Sequence, residues 1–216
     1  MNDKEKTLMP ILDRQLVAKT WVNYGLTDLF FAFDSDDDAF SDNVVFSEIM
    51  GLEKFAKAVL LFHLHQEYEG MTLPNAKKKI NKLAKSMGHD FEKMMKELSN
   101  FMSDDITRIE KTDFDGYSGS DLIGVVYAGY METRYPVPTP ISDSFPIEGT
   151  NLKHDPLWSS GITKFIYAVC NACFASLSSN IDFTDLTSQF SRRFSHKESF
   201  GRFNNLFWEK RCKLDI

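Results

Sequence analysis

Three residues near the carboxyl end, Arg192, Arg193 and His196, have the types and spacing that RNA cleavage would need. Residues three and four positions apart share one face of a helix, so either arginine would lie beside the histidine. An arginine can hold a phosphate while a histidine exchanges a proton near neutral pH, which is the minimum apparatus for acid–base cleavage of RNA. The alternative is an exposed basic turn between Phe194 and Phe200, which is the more frequent origin of such a cluster and the one we favour.

Lysines are concentrated at residues 77–85, where they form either a solvated helix face or a surface that binds phosphates. The segment 77–111 carries 9 basic and 6 acidic residues in a chain whose net charge is −6. Binding of backbone phosphates requires several such cations together, although a lysine run is more often only a solvated helix face. A binding role gains weight only if the basic residues of the tail lie beside these lysines; those residues are Arg192, Arg193, Lys197 and Arg202. The basic candidates for binding are Lys78, Lys79, Lys82, Arg134 and Arg202.

His89 is a further binding candidate, because it stands in the motif Gly88-His-Asp. Its side chain could contact a nucleotide or a partner protein. The structural interpretation, which we favour, is that Asp90 caps the following helix by accepting hydrogen bonds from its first N–H groups. Gly88 would then supply a left-handed turn between two helices.

The other metal-like or redox-like patterns predict no chemistry. His63 and His65 are two residues apart, so on a helix they point to different faces and cannot chelate together. Cys170 and Cys173 lie in an apolar helical stretch, where free cysteines behave as small buried hydrophobic groups. The acidic segment 34–42 lacks the glycine and the glutamate that a calcium loop requires. We therefore expect no metal and no cofactor.

The composition excludes several classes of protein. The 216 residues are 43% hydrophobic and 26% charged, which is close to the average for folded soluble domains and unlike a disordered chain. Three cysteines provide no disulfide framework. The net charge of −6 argues against avid, non-specific nucleic-acid binding by the whole chain. We find no signal peptide and no apolar run of about 18 residues, so we expect a cytoplasmic protein without a membrane partner.

The apolar residues recur at helical spacing along most of the chain, which predicts an all-α fold. Five prolines between Pro136 and Pro156 predict a long surface loop. We expect one domain over residues 1–216, with a bundle core at about 10–132, the proline-rich loop at about 133–157 and C-terminal helices at about 158–214. The predicted helices span residues 11–33, 43–68, 74–87, 91–109, 121–132 and 157–177, followed by one or two final helices.

Three segments resemble the HEPN superfamily. Glu48–His63, which reads EIMGLEKFAKAVLLFH, is similar to the glutamate- and lysine-rich central helix of that superfamily. The run GHDFEKMM from Gly88 is similar to its Gly-His-Asp-Leu helix start, and ETRYP at residues 132–136 is similar to its Leu-Arg-Tyr-Pro segment. The resemblance covers about residues 10–136.

The resemblance implies an up-and-down helical bundle that forms homodimers. The superfamily includes ribonuclease toxins, phage-defence factors, partners of nucleotidyltransferases and non-catalytic RNA-binding modules. Its nucleases place four to six residues between an arginine and a histidine, and none of the seven arginines here has that spacing. We therefore expect a non-catalytic interaction module that binds a partner protein or RNA, with a role in bacterial defence or stress response. The alternative is a divergent, metal-independent endoribonuclease that uses Arg192 or Arg193 with His196.

Overall fold

A computed structural model of the chain describes residues 12–35, 42–134 and 159–209. The described residues are mostly helical and contain one short hairpin, so the prediction of an all-α fold is confirmed at that level. Residues 36–41 of the acidic segment and most of the predicted proline-rich loop lie outside the described residues, as does Cys212. The helices are α1 (Arg14–Asp34), α2 (Asp42–His63), α3 (Leu73–Met87), α4 (Phe91–Leu98), α5 (Ser103–Lys111), α6 (Gly119–Arg134), α7 (Ser160–Ser178), α8 (Thr184–Phe194) and α9 (Ser199–Asn204).

Helix α2 is the centre of the bundle. It packs along α1 and also contacts α3, α4, α6 and α7. Almost every side chain from Leu52 to Phe62 is buried, which matches the apolar residues that the sequence places there. The helix ends at His63, five residues earlier than the periodicity predicts, and a 3₁₀ turn at His65–Glu67 follows.

Helix α7 is the other long core element. Both of its cysteines, Cys170 and Cys173, are fully buried, as predicted. Burial raises the pKa of the Cys173 thiol to about 12, which keeps it protonated and unreactive at neutral pH. By length and composition α7 is the one helix among the described residues that could cross a membrane, and 61% of that stretch is buried within the bundle.

Helix α3 begins and ends where its sequence predicts. Pro74 lies in the first turn, where its missing N–H is not needed. Gly88 ends the helix at a φ of 64°, a conformation that costs glycine little. Ala76, Ile80, Ala84 and Met87 are buried, so the lysines between them face outward.

The predicted helix 91–109 is wrong in one respect, because it is broken into α4 and α5. The hydroxyl of Ser99 and the amide of Asn100 donate hydrogen bonds to the carbonyl oxygens of Lys96 and Glu97, at 2.7 and 3.2 Å. These bonds satisfy the last turn of α4 and stop it. A new helix then starts at Ser103, with two aspartates in its first turn.

Between the predicted helices 91–109 and 121–132 the chain contains an antiparallel hairpin, β1 (Asp113–Phe114) and β2 (Tyr117–Ser118). Asp115 and Gly116 form its turn with φ values of 57° and 94°. Asp-Gly is a typical sequence for such turns, because aspartate and glycine tolerate positive φ. Asp115 accepts hydrogen bonds from Ser160 and from Lys164, and thereby fastens the hairpin to α7.

Phenylalanine rings join the carboxyl-terminal helices to α1. Phe30 of α1 is fully buried and contacts the rings of Phe190, Phe194 and Phe203 at centroid distances of 4.6 to 6.0 Å. Edge and tilted contacts of this kind are favoured by the ring quadrupoles. These contacts make the phenylalanines of the tail core anchors.

Candidate functional site

The outer face of α3 is a row of lysines. Lys78, Lys82 and Lys85 are exposed and lie at positions i, i+4 and i+7, so they share one face over about 10 Å of helix. Helix α3 contains five lysines and no acidic residue. Within the described part of the chain, no ion pair is found for these three lysines. They are therefore available to an anionic ligand.

Lys79 is separated from this row by an internal partner. Its ammonium group lies 2.6 Å from the Glu67 carboxylate, which belongs to the 3₁₀ turn after α2. The same hydrogen bond lowers the pKa of Glu67. Lys79 was predicted as a binding residue together with Lys78 and Lys82, and this partly exposed contact links it to the turn after α2.

His89 follows directly after the lysine row and is fixed by a buried carboxylate. Its Nδ1 lies 2.6 Å from Oε2 of Glu53 in α2. The Glu53 side chain is only 8% exposed, whereas the His89 ring is 40% exposed. A carboxylate can only accept, so Nδ1 donates and the neutral ring presents the lone pair of Nε2. The histidine is thus an oriented group at the surface.

Lys57 neutralises the same carboxylate from the opposite side. Its ammonium nitrogen lies 2.7 Å from Oε1 of Glu53, one helical turn away, and its side chain is only 5% exposed. Burying a charge is costly unless it is paired and hydrogen-bonded. Because Glu53 receives Lys57 on one oxygen and His89 on the other, both oxygens of the carboxylate are hydrogen-bonded.

Tyr130 of α6 supports the ring of His89. The two rings stack with centroids 4.3 Å apart and planes 19° apart, and Tyr130 is itself buried. Phe46 stacks against the tyrosine in turn, at 6.1 Å. We call Lys57, Glu53, His89 and Tyr130 the polar cluster. In this cluster the partly exposed imidazole of His89 is surrounded by three buried side chains.

Arg134 lies one helical turn beyond Tyr130, at the last residue of α6. The two positions are i and i+4, so the backbone of Arg134 is on the helix face that meets His89. The predicted binding candidates Lys78 and Lys82 thus lie on one face of α3, and His89 follows the glycine that ends this helix. We call Lys78, Lys82, Lys85 and His89 the α3 surface.

Asp90 has the structural role that the sequence predicts. Its carboxylate accepts a hydrogen bond from the backbone N–H of Lys93 at 2.9 Å, which caps α4. Glu92 lies in the first turn, where a negative charge is favourable. The cap places His89 immediately outside the helix and fixes its backbone.

The carboxyl-terminal set does not form the predicted helix face. Helix α8 ends at Phe194, so His196 lies in the turn that follows the helix. Arg192 donates to the carbonyl oxygen of Ser188 at 3.4 Å, and Arg193 stands over the ring of Phe194 at 5.0 Å. The prediction that either arginine shares a helix face with His196 is therefore wrong, and the favoured interpretation as an exposed basic turn agrees with the structure.

The turn that contains His196 is fastened to the end of α1. Asp34 accepts hydrogen bonds from Ser199 and, at 2.9 Å, from Lys197. The Ser199 bond and then the Lys197 bond lower the pKa of Asp34. Arg202 stands over the ring of Phe33 in α1, at 5.8 Å. These basic residues pack on α1, whereas α3 packs on α2, so the two basic segments belong to different elements of the bundle.

His63 is a packing residue. Its ring lies flat on Phe101, with centroids 4.1 Å apart and planes 5° apart. Burial, with smaller effects of His65 and Arg14, lowers the pKa of His63, which favours the neutral ring. Among the described residues no group of three histidine, cysteine or acidic side chains is placed to hold a metal ion.

Glu53, Lys57 and Tyr130 are the site residues that the sequence did not predict. The i, i+4 spacing of Glu53 and Lys57 was visible, but it usually marks an exposed ion pair. Their position inside an otherwise apolar stripe was the available signal, because charged residues are seldom buried unless they are paired.

Comparison of the chain with protein-family models, with curated proteins and with solved structures finds no match.

Proposed function

We propose that this chain is a non-catalytic interaction module that binds RNA through the α3 surface. The observation that carries the proposal is the row of three exposed lysines on a helix without acidic residues. Contacts between lysines and backbone phosphates supply most of the free energy of sequence-independent nucleic-acid binding. The local positive charge makes such contacts possible in a chain whose net charge is −6.

The geometry of the carboxyl-terminal turn supports binding without cleavage. An acid–base mechanism needs an arginine and a histidine that converge on one phosphate. Arg192 and Arg193 are engaged within α8, and His196 lies beyond its end. The chain resembles the HEPN superfamily but lacks the arginine–histidine spacing of its nucleases, which is consistent with this proposal. We propose that the module acts in bacterial defence or stress response, in the cytoplasm.

Salt dependence of binding tests the proposal. Three phosphate contacts give a slope of log affinity against log salt of about −2 to −3, so affinity should fall about 20- to 40-fold between about 50 and 200 mM salt. We expect this for a labelled RNA followed by fluorescence anisotropy. The variant K78Q/K82Q should weaken binding and make the slope shallower by about 2.

A variant with the same net charge provides the control. Lys96 and Lys111 are exposed lysines on α4 and α5, and K96Q/K111Q should bind RNA with nearly the wild-type slope. Equal losses in both double variants would mean that only overall charge matters and would refute the α3 surface. Competition by polyglutamate that is as strong as competition by RNA would instead favour an acidic protein partner.

Cleavage is tested by incubating the protein with total RNA, beside the variant His196→Ala. We expect no cleavage by either protein. Cleavage by the wild type that disappears in the variant would establish the alternative function, an endoribonuclease.

We also propose that the module is a homodimer. Leu16, Tyr24 and Phe31 lie along α1 and are 53%, 59% and 48% exposed. Large apolar side chains that recur on one helix face are typical of an interface between proteins. A symmetric contact that uses the same face of both copies would cover them.

A further inference from the structure

We propose that the RNA bound by the α3 surface is double-stranded, and that Nε2 of His89 accepts a hydrogen bond from a ribose 2′-hydroxyl. This inference rests on the proposed function and adds the class of ligand. Among the described residues Nε2 of His89 has no hydrogen-bond partner, because His89 contacts Glu53 through Nδ1 and Tyr130 through its ring face.

The tautomer of His89 is set by its neighbours. Nδ1 keeps its hydrogen and donates it to Glu53, so in the neutral form of the ring Nε2 carries the lone pair. Lys57 already balances the charge of Glu53. A fixed acceptor of this kind selects a ligand with an N–H or O–H donor. A phosphate oxygen, which is itself an acceptor, does not meet this requirement.

The position of His89 links this acceptor to the lysine row. Lys85 lies in the last turn of α3, and its carbonyl oxygen accepts the N–H of Gly88 at 3.1 Å. His89 is the next residue, so its backbone lies at the carboxyl end of the lysine row. A ligand on this surface therefore meets cations along its backbone and one acceptor at the end.

This combination fits an RNA duplex better than a single strand. An A-form duplex is recognised by its shape, through contacts to phosphates and to 2′-hydroxyls across the shallow minor groove. Single strands are held mainly by aromatic side chains on which the bases stack. From Leu73 to Gly88 the sequence has no aromatic residue, and Tyr130 is covered by His89 and by the core. The 2′-hydroxyl is also the donor that distinguishes RNA from DNA.

The buried residues of the polar cluster explain how one acceptor atom can distinguish RNA from a ligand without a 2′-hydroxyl. Glu53 and Lys57 are more than nine-tenths buried, and Tyr130 is buried as well. A group held by packed partners loses little freedom when it binds a ligand. Glu53 is thus a positioning residue for His89 rather than a group that touches RNA.

The test compares three labelled duplexes of one sequence, each of about 16 base pairs, the length that a small domain can span. They are RNA, RNA methylated at every 2′-oxygen, and DNA. The methylated duplex keeps the A form and lacks the 2′ donor. We expect the wild-type protein to bind RNA about fivefold more tightly than the methylated duplex, the factor expected for one hydrogen bond. Single-stranded RNA of the same sequence should bind more weakly than the duplex.

Two variants locate the effect. His89→Phe keeps a ring against Tyr130 but has no acceptor, so its affinities for RNA and for methylated RNA should be equal. His89→Ala should give the same result, which guards against a misplaced phenylalanine. K78Q/K82Q should weaken both duplexes and leave their ratio unchanged, which separates the lysines from the histidine.

The outcomes distinguish this inference from the proposed function. Tight binding of RNA with an equal affinity for the methylated duplex would overturn the role of His89 and leave RNA binding intact. A preference for RNA over the methylated duplex that persists in both His89 variants would also overturn the role of His89. Tighter binding of single-stranded RNA than of the duplex would overturn the assignment of a double-stranded ligand. Failure to bind any nucleic acid would overturn both proposals.

Discussion

Breaking the buried ion pair should destabilise the fold much more than replacing the whole pair. The perturbation is Glu53→Leu alone, Lys57→Met alone, and the two together. Glu53→Leu leaves the buried ammonium of Lys57 without the carboxylate that lies 2.7 Å away. Lys57→Met leaves the Glu53 carboxylate with one remaining partner, His89 at 2.6 Å. The double variant leaves no buried charge at this position.

The burial of the pair sets the magnitudes. Both side chains are less than 10% exposed, so an isolated Lys57 should cost about 3–5 kcal/mol of unfolding free energy. Lys57→Met should cost about 1–3 kcal/mol, because a hydrogen bond to the carboxylate remains. The double variant should lie within about 1 kcal/mol of the wild type, since leucine and methionine fill the space with apolar groups. For a domain of this size, Glu53→Leu should lower Tm by about 10 °C.

Urea denaturation followed by circular dichroism of all four proteins measures the coupling as a double-mutant cycle. Lys54→Met is the matched control, because Lys54 lies on the same helix and pairs with Asp28 in a partly exposed position. That variant should cost less than about 1 kcal/mol. If Glu53→Leu costs no more than Lys54→Met, or if the two single effects add in the double variant, the argument from burial is wrong.

Two other predictions concern the Asp34 contact and the α1 face. Hydrogen bonds from Ser199 and then from Lys197 lower the pKa of Asp34 below its ordinary value of 3.8, so this stabilisation is complete above about pH 4 and is lost as the pH falls through the folded-state pKa. Urea midpoints measured below pH 4 should therefore fall more steeply with acid for the wild type than for Ser199→Ala; parallel curves would contradict this. Tyr24→Glu should convert a dimer to a monomer in light scattering, and a wild type that is monomeric at every concentration would exclude the dimer.

The helices were predictable where local signals agree with packing. Pro74 and Gly88 delimit α3 because each acts through its own backbone, without help from the rest of the chain. The break at Ser99–Met102 was not predicted, since the apolar periodicity continues through it and only the side-chain bonds of Ser99 and Asn100 end the helix. The Asp115-Gly116 sequence is a readable signal for a hairpin, but no hairpin was predicted there.

Local sequence patterns could not predict the polar cluster. Glu53 and His89 are 36 residues apart in sequence and meet only because α3 lies along α2 and returns the chain to the middle of that helix. Tyr130 arrives from a third helix. His89 was identified as a candidate from its motif, but its orientation depends on these long-range contacts. The prediction that Arg192 or Arg193 shares a helix face with His196 failed for a local reason. A spacing of three or four residues places side chains on one face only within a helix, and α8 ends at Phe194.

The acidic character of the whole chain and the basic character of α3 act at different distances. Screening limits the reach of exposed charges to about 8 Å at physiological salt. A duplex on α3 therefore experiences mainly Lys78, Lys82 and Lys85, whereas most of the acidic residues lie elsewhere in the chain. At low salt the screening length grows severalfold and the net charge of −6 opposes approach of the polyanion. The gain in affinity on lowering the salt should consequently flatten at the lowest concentrations, which separates a local basic face from a uniformly basic protein.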